Sequence, residues 1–389
     1  MTQGYFTDAD CDLEAFRALT SQATDRATVP LAAEVIHSIP VYDMGARGAD
    51  LSDPQARRVL MAEWAAVMLR GAGAIALRGA MTDHATIDAV TQVYLDIIAQ
   101  EKAVAGGASD HFAKAGANDR IWNSLQKLCL RDPALFARYF GNPTLDAVSE
   151  AWLGRGYQMT AQVNLVRPGG AAQQAHRDYH LGFQTPQVAM GYPAHMHDIS
   201  PVLTLQGAVA HCDMPVDSGP TKLLPFSQMF RPGYIAYHRD EFRAYFEQAY
   251  VQIPLAKGDM LFFNPALFHA AGENRTRSID RMANLLQVSS PFGIPLESID
   301  RPAMCRALYP ALQGMSLGAA EQAAAIACAA DGYSFSTNLD TDPPVGGLAP
   351  ETMATLMARM LADGASPTAF HTALDAQCAR RAATPGAPT

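Results

Sequence analysis

The spacing of hydrophobic positions changes character twice along this chain. Leu60, Trp64, Val67 and Met68 recur at i, i+4, i+7 and i+8, the stripe of a helix buried on one side. Ser52 and Asp53 offer N-caps for it, Pro54 sits in its first turn, and Gly71 stops it. Ala74-Ile75-Ala76-Leu77 then reads as a short buried strand, and Ile87, Val90, Tyr94 and Ile97 mark one face of a second amphipathic helix. Further helical segments are predicted through 120–155. From about residue 157 to about 292 the pattern breaks into short β-like runs between turn residues: 159–166, 202–210, 251–255, 260–263 and 281–289. After Pro302 it is helical again, with Met353, Met357, Met360 and Leu361 on one stripe and Ser366-Pro367 opening a final helix. Many short strands with Gly/Pro turns suggest a barrel or jelly roll. The expected fold is an all-β core of cupin-like jelly-roll type, wrapped by N- and C-terminal α-helices. Its parts are a helical lead-in (1–38), the main domain with its N-terminal helices (39–300), a helical extension (301–381) and a frayed tail (382–389).

Composition narrows the function. Of 389 residues, 49% are hydrophobic, enough for a sizeable core, and the net charge of −9 leaves no broad basic field for nucleic acid. Cysteines fall at 11, 129, 212, 305, 328 and 378, without a CxxC pair, so zinc ribbons and thioredoxin-like motifs are excluded. The opening MTQGYFTDADCDLEAF lacks the apolar core of a signal peptide, and no apolar run reaches membrane-spanning length. The expectation is a soluble, cytoplasmic protein with reduced thiols, no membrane or nucleic-acid partner, and a small-molecule substrate. Its oligomeric state is not legible.

Histidines 176, 180, 195, 197, 211, 238 and 269 all lie in the β-rich part. Within Gln174-Ala175-His176-Arg177-Asp178-Tyr179-His180, the first histidine and the aspartate are two residues apart and face the same way in an extended segment. With a distant third ligand such as His269, they make a two-histidine, one-carboxylate set that leaves an iron open to other ligands. His211-Cys212-Asp213 has the same spacing. The plain alternative for either pair is a strand-end histidine and a turn aspartate satisfied by hydrogen bonds. Arg275, Arg277 and Arg281 follow His269. Arg281 begins an apolar strand, where an uncompensated charge is costly, so an anion partner is expected there. Arg275 and Arg277 read as solvated loop residues. Gln162 and Asn164 share the polar face of their strand, pointing either into a site or to solvent.

The order His176-Arg177-Asp178-x-His180, then Ser218-Gly219-Pro220-Thr221-Lys222-Leu223-Leu224-Pro225-Phe226-Ser227-Gln228, then Gly258–Phe263 and His269-Ala270-Ala271-Gly272-Glu273-Asn274, resembles the phytanoyl-CoA dioxygenase family. The resemblance covers roughly residues 38–292. It implies a double-stranded β-helix and a dioxygenase that uses Fe(II), with 2-oxoglutarate and O2 as cosubstrates. It implies His176, Asp178 and His269 as the metal ligands, because only that H-x-D precedes the strand leading into the Gly…Leu-Pro segment, and it demotes His211. The family's 2-oxoglutarate arginine maps onto Arg281, with Arg277 as the alternative, and Gln162 and Asn164 are candidate cosubstrate contacts. Related halogenases lack the carboxylate, so Asp178 implies hydroxylation. Two features depart from the family: Pro225-Phe226-Ser227-Gln228 replaces the frequent Pro-Gly-Ser-His, and the 202–210 strand has no tryptophan.

Tyr179, His180 and Arg231 are candidate substrate contacts. A site mouth of His180, Tyr192, His195, His197 and Gln228, under a lid at 340–347, suggests a small polar metabolite. A phytanoyl-CoA-type acyl-CoA substrate remains an alternative, with Lys222, Arg231, Arg275 and Arg277 as its basic landing residues. So does a cupin-type metalloenzyme that does not use 2-oxoglutarate, and so does a non-catalytic scaffold.

Overall fold

The apolar runs become the strands of one large mixed sheet in the computed structural model, which describes residues 4–105 and 118–383. From position 384 the expected tail lies outside the described residues. The strands are β1 (Glu34–Ile36), β2 (Ile39–Asp43), β3 (Ala74–Arg78), β4 (Asn118–Ile121), β5 (Gln158–Val166), β6 (Thr204–Ala210), β7 (Lys222–Leu223), β8 (Met260–Phe263), β9 (His269–Ala270) and β10 (Arg281–Ser289). Eight of them form a sheet in the order β1-β2-β3-β8-β6-β10-β5-β4. Within it β2 and β3 run parallel and the other pairs antiparallel. The remaining two, β7 and β9, make a small second sheet, extended by single bridges from Leu223 to Val251 and from His176 to His269.

Side-chain alternation divides the large sheet into two faces. The register sets Asn164 opposite Ala283, Gln162 opposite Leu285, and Gln287 opposite Gln206, all on a face that lines a cavity. Their neighbours Val163, Leu165, Leu286, Val288, Val209, Met260 and Phe262 point the other way, into the main core. That core is completed by Leu60, Trp64, Val67 and Met68 of the helix Pro54–Arg70, and by Ile87, Val90 and Tyr94 of the helix His84–Ala105. The C-terminal helices belong to the same core through Met304, Leu308, Tyr309, Met357, Phe370 and Leu374, with Tyr309 and Phe370 stacked at 4.1 Å. A second cluster gathers Phe16, Phe230, Phe242, Phe246 and Phe268 beneath the small sheet.

Three stretches differ from the sequence pattern. The expected strand at 251–255 makes only single bridges at Val251 and Leu255, because Pro254 between them has no N–H to extend a ladder. The lead-in holds one α-helix, Leu13–Thr20, and its end enters the sheet as β1, turning through left-handed His37 and Ser38. A strand, β4, precedes the helices expected from 120 onward. Among the described residues no helix is long and apolar enough to cross a membrane. None of the six cysteines forms a disulfide.

Candidate metal centre

His176 and His269 are brought together by backbone pairing. Each accepts the other's N–H, at 3.0 and 3.2 Å, and in this bridge their rings fall on one side, 4.4 Å apart. Asp178, two residues on, is anchored by its own N–H to the Pro265 carbonyl. One ligand atom from each of His176, Asp178 and His269 lies within 4.8 Å of the others. Both imidazoles are held in the same way: Nδ1 of His176 lies 2.8 Å from the Gln174 carbonyl and Nδ1 of His269 lies 2.8 Å from the Leu267 carbonyl. A carbonyl can only accept, so Nδ1 carries the proton and Nε2 keeps its lone pair. The two Nε2 atoms face the Asp178 carboxylate at 3.7 and 3.3 Å. The Gln206 amide donates to the same carboxylate. Burial alone raises the Asp178 carboxyl, but the two imidazoles and Gln206 hold it well below the usual carboxylate range. Burial pushes the His176 imidazole down despite the neighbouring Asp178. A deprotonated carboxylate and two Nε2 lone pairs converging on one point fit a divalent metal ion.

The triad opens into a cavity of about 700 Å³. Arg281 lines it at the first position of β10 and is 6% exposed. Its Nη1 donates to the carbonyls of Ser218 (2.8 Å) and Gly272 (3.0 Å), while no carboxylate among the described residues pairs with it. Burial lowers the guanidinium to about 10. Gln162 and Asn164 also line the cavity, which places the polar face of β5 inward. The Gln162 Nε2, Asn164 Oδ1 and Gln206 Oε1 atoms are buried without a partner among the described residues. Such atoms are uncommon in a closed interior and mark a place where a polar ligand fits. Tyr179 lines the cavity too, in a left-handed conformation, with its hydroxyl donating to Gln287.

Other expected site residues lie elsewhere. His180 is absent from the cavity wall, and its Nδ1 lies 3.4 Å from the Ser200 hydroxyl. Arg231 is exposed, lies outside the cavity wall and forms a two-pronged pair with Asp198. Arg277 is exposed outside the cavity, and Arg275 pairs with Asp217. His195 and Tyr192 are exposed, His197 is buried near the Ala189 carbonyl, and Gln228 donates to the Gly71 carbonyl. None of these lines the cavity. The proposed lid at 340–347 is tied to the C-terminal helix through Asp342, which meets Arg380 and Arg381. His211 projects from the end of β6 into the helical core, between Thr91 (2.8 Å) and Tyr139 (2.7 Å). Burial takes its imidazole down to about 3.

The sequence pattern missed several residues. Gln206 and Gln287 were invisible because a glutamine in a strand carries no positional signal. Arg177, between two candidate ligands, turns away from the metal and is 2% exposed. Its guanidinium donates to the Ser227 and Phe230 carbonyls and lies over the Tyr234 and Phe268 rings. Gly182 and Gly233 leave the room it needs: a Cβ on Gly182 falls 2.2 Å from the Arg177 carbonyl oxygen, and one on Gly233 falls 2.0 Å from the guanidinium carbon. Arg177 thereby fastens the ligand-bearing segment to the residue before His269.

The model of the phytanoyl-CoA dioxygenase (PhyH) family matches residues 59–283, more than half of the chain. A curated relative, the dioxygenase trt7 of Aspergillus terreus (strain NIH 2624 / FGSC A1156), is 26% identical over 151 residues. That stretch is 38% of this chain and 46% of the relative, so less than half of the relative's length is matched. Among solved structures, the non-haem α-ketoglutarate-dependent epimerase SnoN of nogalamycin biosynthesis aligns with TM-score 0.41 and 18% identity, over 64% of this chain and 93% of SnoN. The carbocyclase SnoK of the same biosynthesis aligns with TM-score 0.39 and 17% identity, over 58% and 83%.

Proposed function

Because the chain belongs to the phytanoyl-CoA dioxygenase family of non-haem iron(II)/2-oxoglutarate dioxygenases, we propose that it hydroxylates a C–H bond of a small molecule, releasing succinate and CO2. We read its two sheets as the halves of a double-stranded β-helix. The observation that carries this reading is the shared cavity: a converging His176, Asp178 and His269 set at one place in it, and at another a buried arginine, Arg281, without a carboxylate partner among the described residues.

Bound iron and 2-oxoglutarate would supply the activation of O2, coupled to decarboxylation of the cosubstrate. The chain's own contribution is orientation and exclusion of water. Nε2 of His176, Nε2 of His269 and the Asp178 carboxylate would hold the metal. The Gln174 and Leu267 carbonyls fix the imidazole tautomers, and Gln206 fixes the carboxylate. Arg281, steadied by two carbonyls, is left with N–H groups for the far carboxylate of 2-oxoglutarate. Gln162 and Asn164 are placed to meet the cosubstrate's polar atoms. Met214, Leu255, Leu261, Phe263 and Ala283 add apolar wall to the same cavity.

The cavity also bears on the substrate. The polar mouth expected from the sequence is absent, and much of the wall is apolar or aromatic. Three of the four basic residues that would receive a CoA ester are engaged elsewhere, Lys222 with Glu247, Arg231 with Asp198 and Arg275 with Asp217, and the fourth, Arg277, is exposed outside the cavity. A small, largely apolar metabolite therefore suits this site better than a long acyl-CoA. Six unpaired cysteines accord with a reducing, cytoplasmic setting.

A succinate-release assay tests the activity. The expected result is Fe(II)-dependent conversion of 2-oxoglutarate to succinate, stimulated by small molecules. Stimulation by acyl-CoAs alone would overturn the substrate reading. Absence of any Fe(II)-dependent succinate would overturn the activity itself.

A further inference from the structure

Glu297 lies on the loop after β10, beyond the stretch matched by the family model, yet it lines the same cavity as the candidate metal ligands. Its Oε1 accepts the Asn123 backbone N–H at 2.6 Å, which fastens the carboxyl to the start of the helix Ser124–Arg131. Its Oε2 is buried and has no hydrogen-bond partner among the described residues. A buried acceptor left unpaired is costly, so the working state should provide a donor.

The surroundings define that donor. Trp122, Phe183, Leu285 and Leu296 contribute apolar wall to the cavity. Phe183 is 58% exposed and Leu296 is 38% exposed, so apolar surface is on offer to a ligand. Burial pushes the Glu297 carboxyl up to about 7, against the pull of the Asn123 N–H, Lys127 and Arg120. Arg120 also lines the cavity, and a second cation beside it is disfavoured, which selects a neutral donor over an ammonium group. Tyr179 lines the same cavity, with its hydroxyl donating to Gln287. The cavity volume of about 700 Å³ suits a ligand of drug size.

Building on the oxygenase reading, we propose that Glu297 is the substrate-recognition residue. The site takes an apolar, ring-bearing molecule whose neutral hydroxyl donates to Glu297 Oε2 while its body lies against Trp122, Phe183 and Leu296. The hydroxyl fixes the orientation, and with it which C–H bond is presented to the metal centre.

The test is calorimetric titration of anaerobic protein holding Fe(II) and 2-oxoglutarate, using matched pairs of probes. The pairs are 2-naphthol with 2-methoxynaphthalene, and trans-2-decalol with its methyl ether. At pH 8.5, where a carboxyl pushed up to about 7 is ionised, wild type is expected to bind each alcohol at least about ten-fold more tightly than its ether, as for a hydrogen bond to a charged group. In Glu297→Ala the alcohol and ether should come within about two-fold of each other, and Glu297→Gln should do the same, because its single amide oxygen is taken by the Asn123 N–H and the amide NH2 left at the Oε2 position donates to alcohol and ether alike. Melting curves confirm that each variant is folded. Equal affinities in wild type, a preference that survives in Glu297→Ala, or no binding of either member would overturn the assignment. If 2-oxoglutarate itself fails to bind the iron-loaded wild type, the oxygenase reading has failed instead, and the titration distinguishes the two.

Discussion

Asp178→Ala protein is expected to lose its iron and its 2-oxoglutarate turnover together, with His176→Ala and His269→Ala behaving alike. Replacing a residue that merely orients a metal ligand costs about 10–100-fold in affinity or activity, so removing a ligand should cost at least about 100-fold. The informative control is His211→Ala. Its imidazole lies between Thr91 and Tyr139 in the helical core, so this variant should melt earlier yet keep its full iron content. Metal analysis after anaerobic reconstitution and desalting reads both effects. Full iron in Asp178→Ala with loss in His211→Ala would place the metal on the wrong H-x-D pair.

The second large effect is expected from Arg281→Ala. In wild type the guanidinium is buried, steadied by the Ser218 and Gly272 carbonyls, and without a carboxylate among the described residues. Removing it would leave the far carboxylate of 2-oxoglutarate buried and unpaired. Truncating one partner of such a pair costs roughly 2–5 kcal/mol, so the cosubstrate Kd should rise about thirty-fold or more. Iron content should stay near wild type, since Arg281 is not among the converging metal ligands. Arg277→Ala is the companion variant, and its exposed position predicts an unchanged Kd. An unchanged Kd in Arg281→Ala would remove the arginine from the cosubstrate site.

How much of this was legible beforehand depends on the kind of signal. The helices Pro54–Arg70 and Met353–Ala362 were readable because their apolar stripes and caps are local, and β5, β8 and β10 because their runs are long or bounded by turns. The failed strand at 251–255 turned on Pro254, whose missing N–H matters only once a neighbouring strand is known. Spacing alone left the pairs at 176/178 and 211/213 open, and the resemblance to the family favoured His176 and Asp178 with His269, three side chains that the fold brings together. The imidazole tautomers were not legible, since these depend on the Gln174 and Leu267 carbonyls being in place. The two readings of Gln162 and Asn164 were equal on alternation alone, because period two says which residues share a face and not which face is inside. The proposed histidine-rich mouth failed for a related reason. His180, His195 and His197 are near Asp178 in sequence, but nearness along the chain does not fix side-chain direction: Gly182 and Phe183 line the cavity, while His180 turns to the Ser200 hydroxyl, His197 to the Ala189 carbonyl and His195 is exposed. Glu297 lay outside any motif, and only its unpartnered oxygen draws attention to it.

The most direct measurement of the central claim is an anaerobic titration of the protein with Fe(II) and then 2-oxoglutarate, followed by visible absorption. The account predicts a weak charge-transfer band that saturates at one equivalent of each. That band should be missing in Asp178→Ala and should need far more 2-oxoglutarate in Arg281→Ala. Iron that binds stoichiometrically to His176, Asp178 and His269 while 2-oxoglutarate produces no band at any concentration would contradict it.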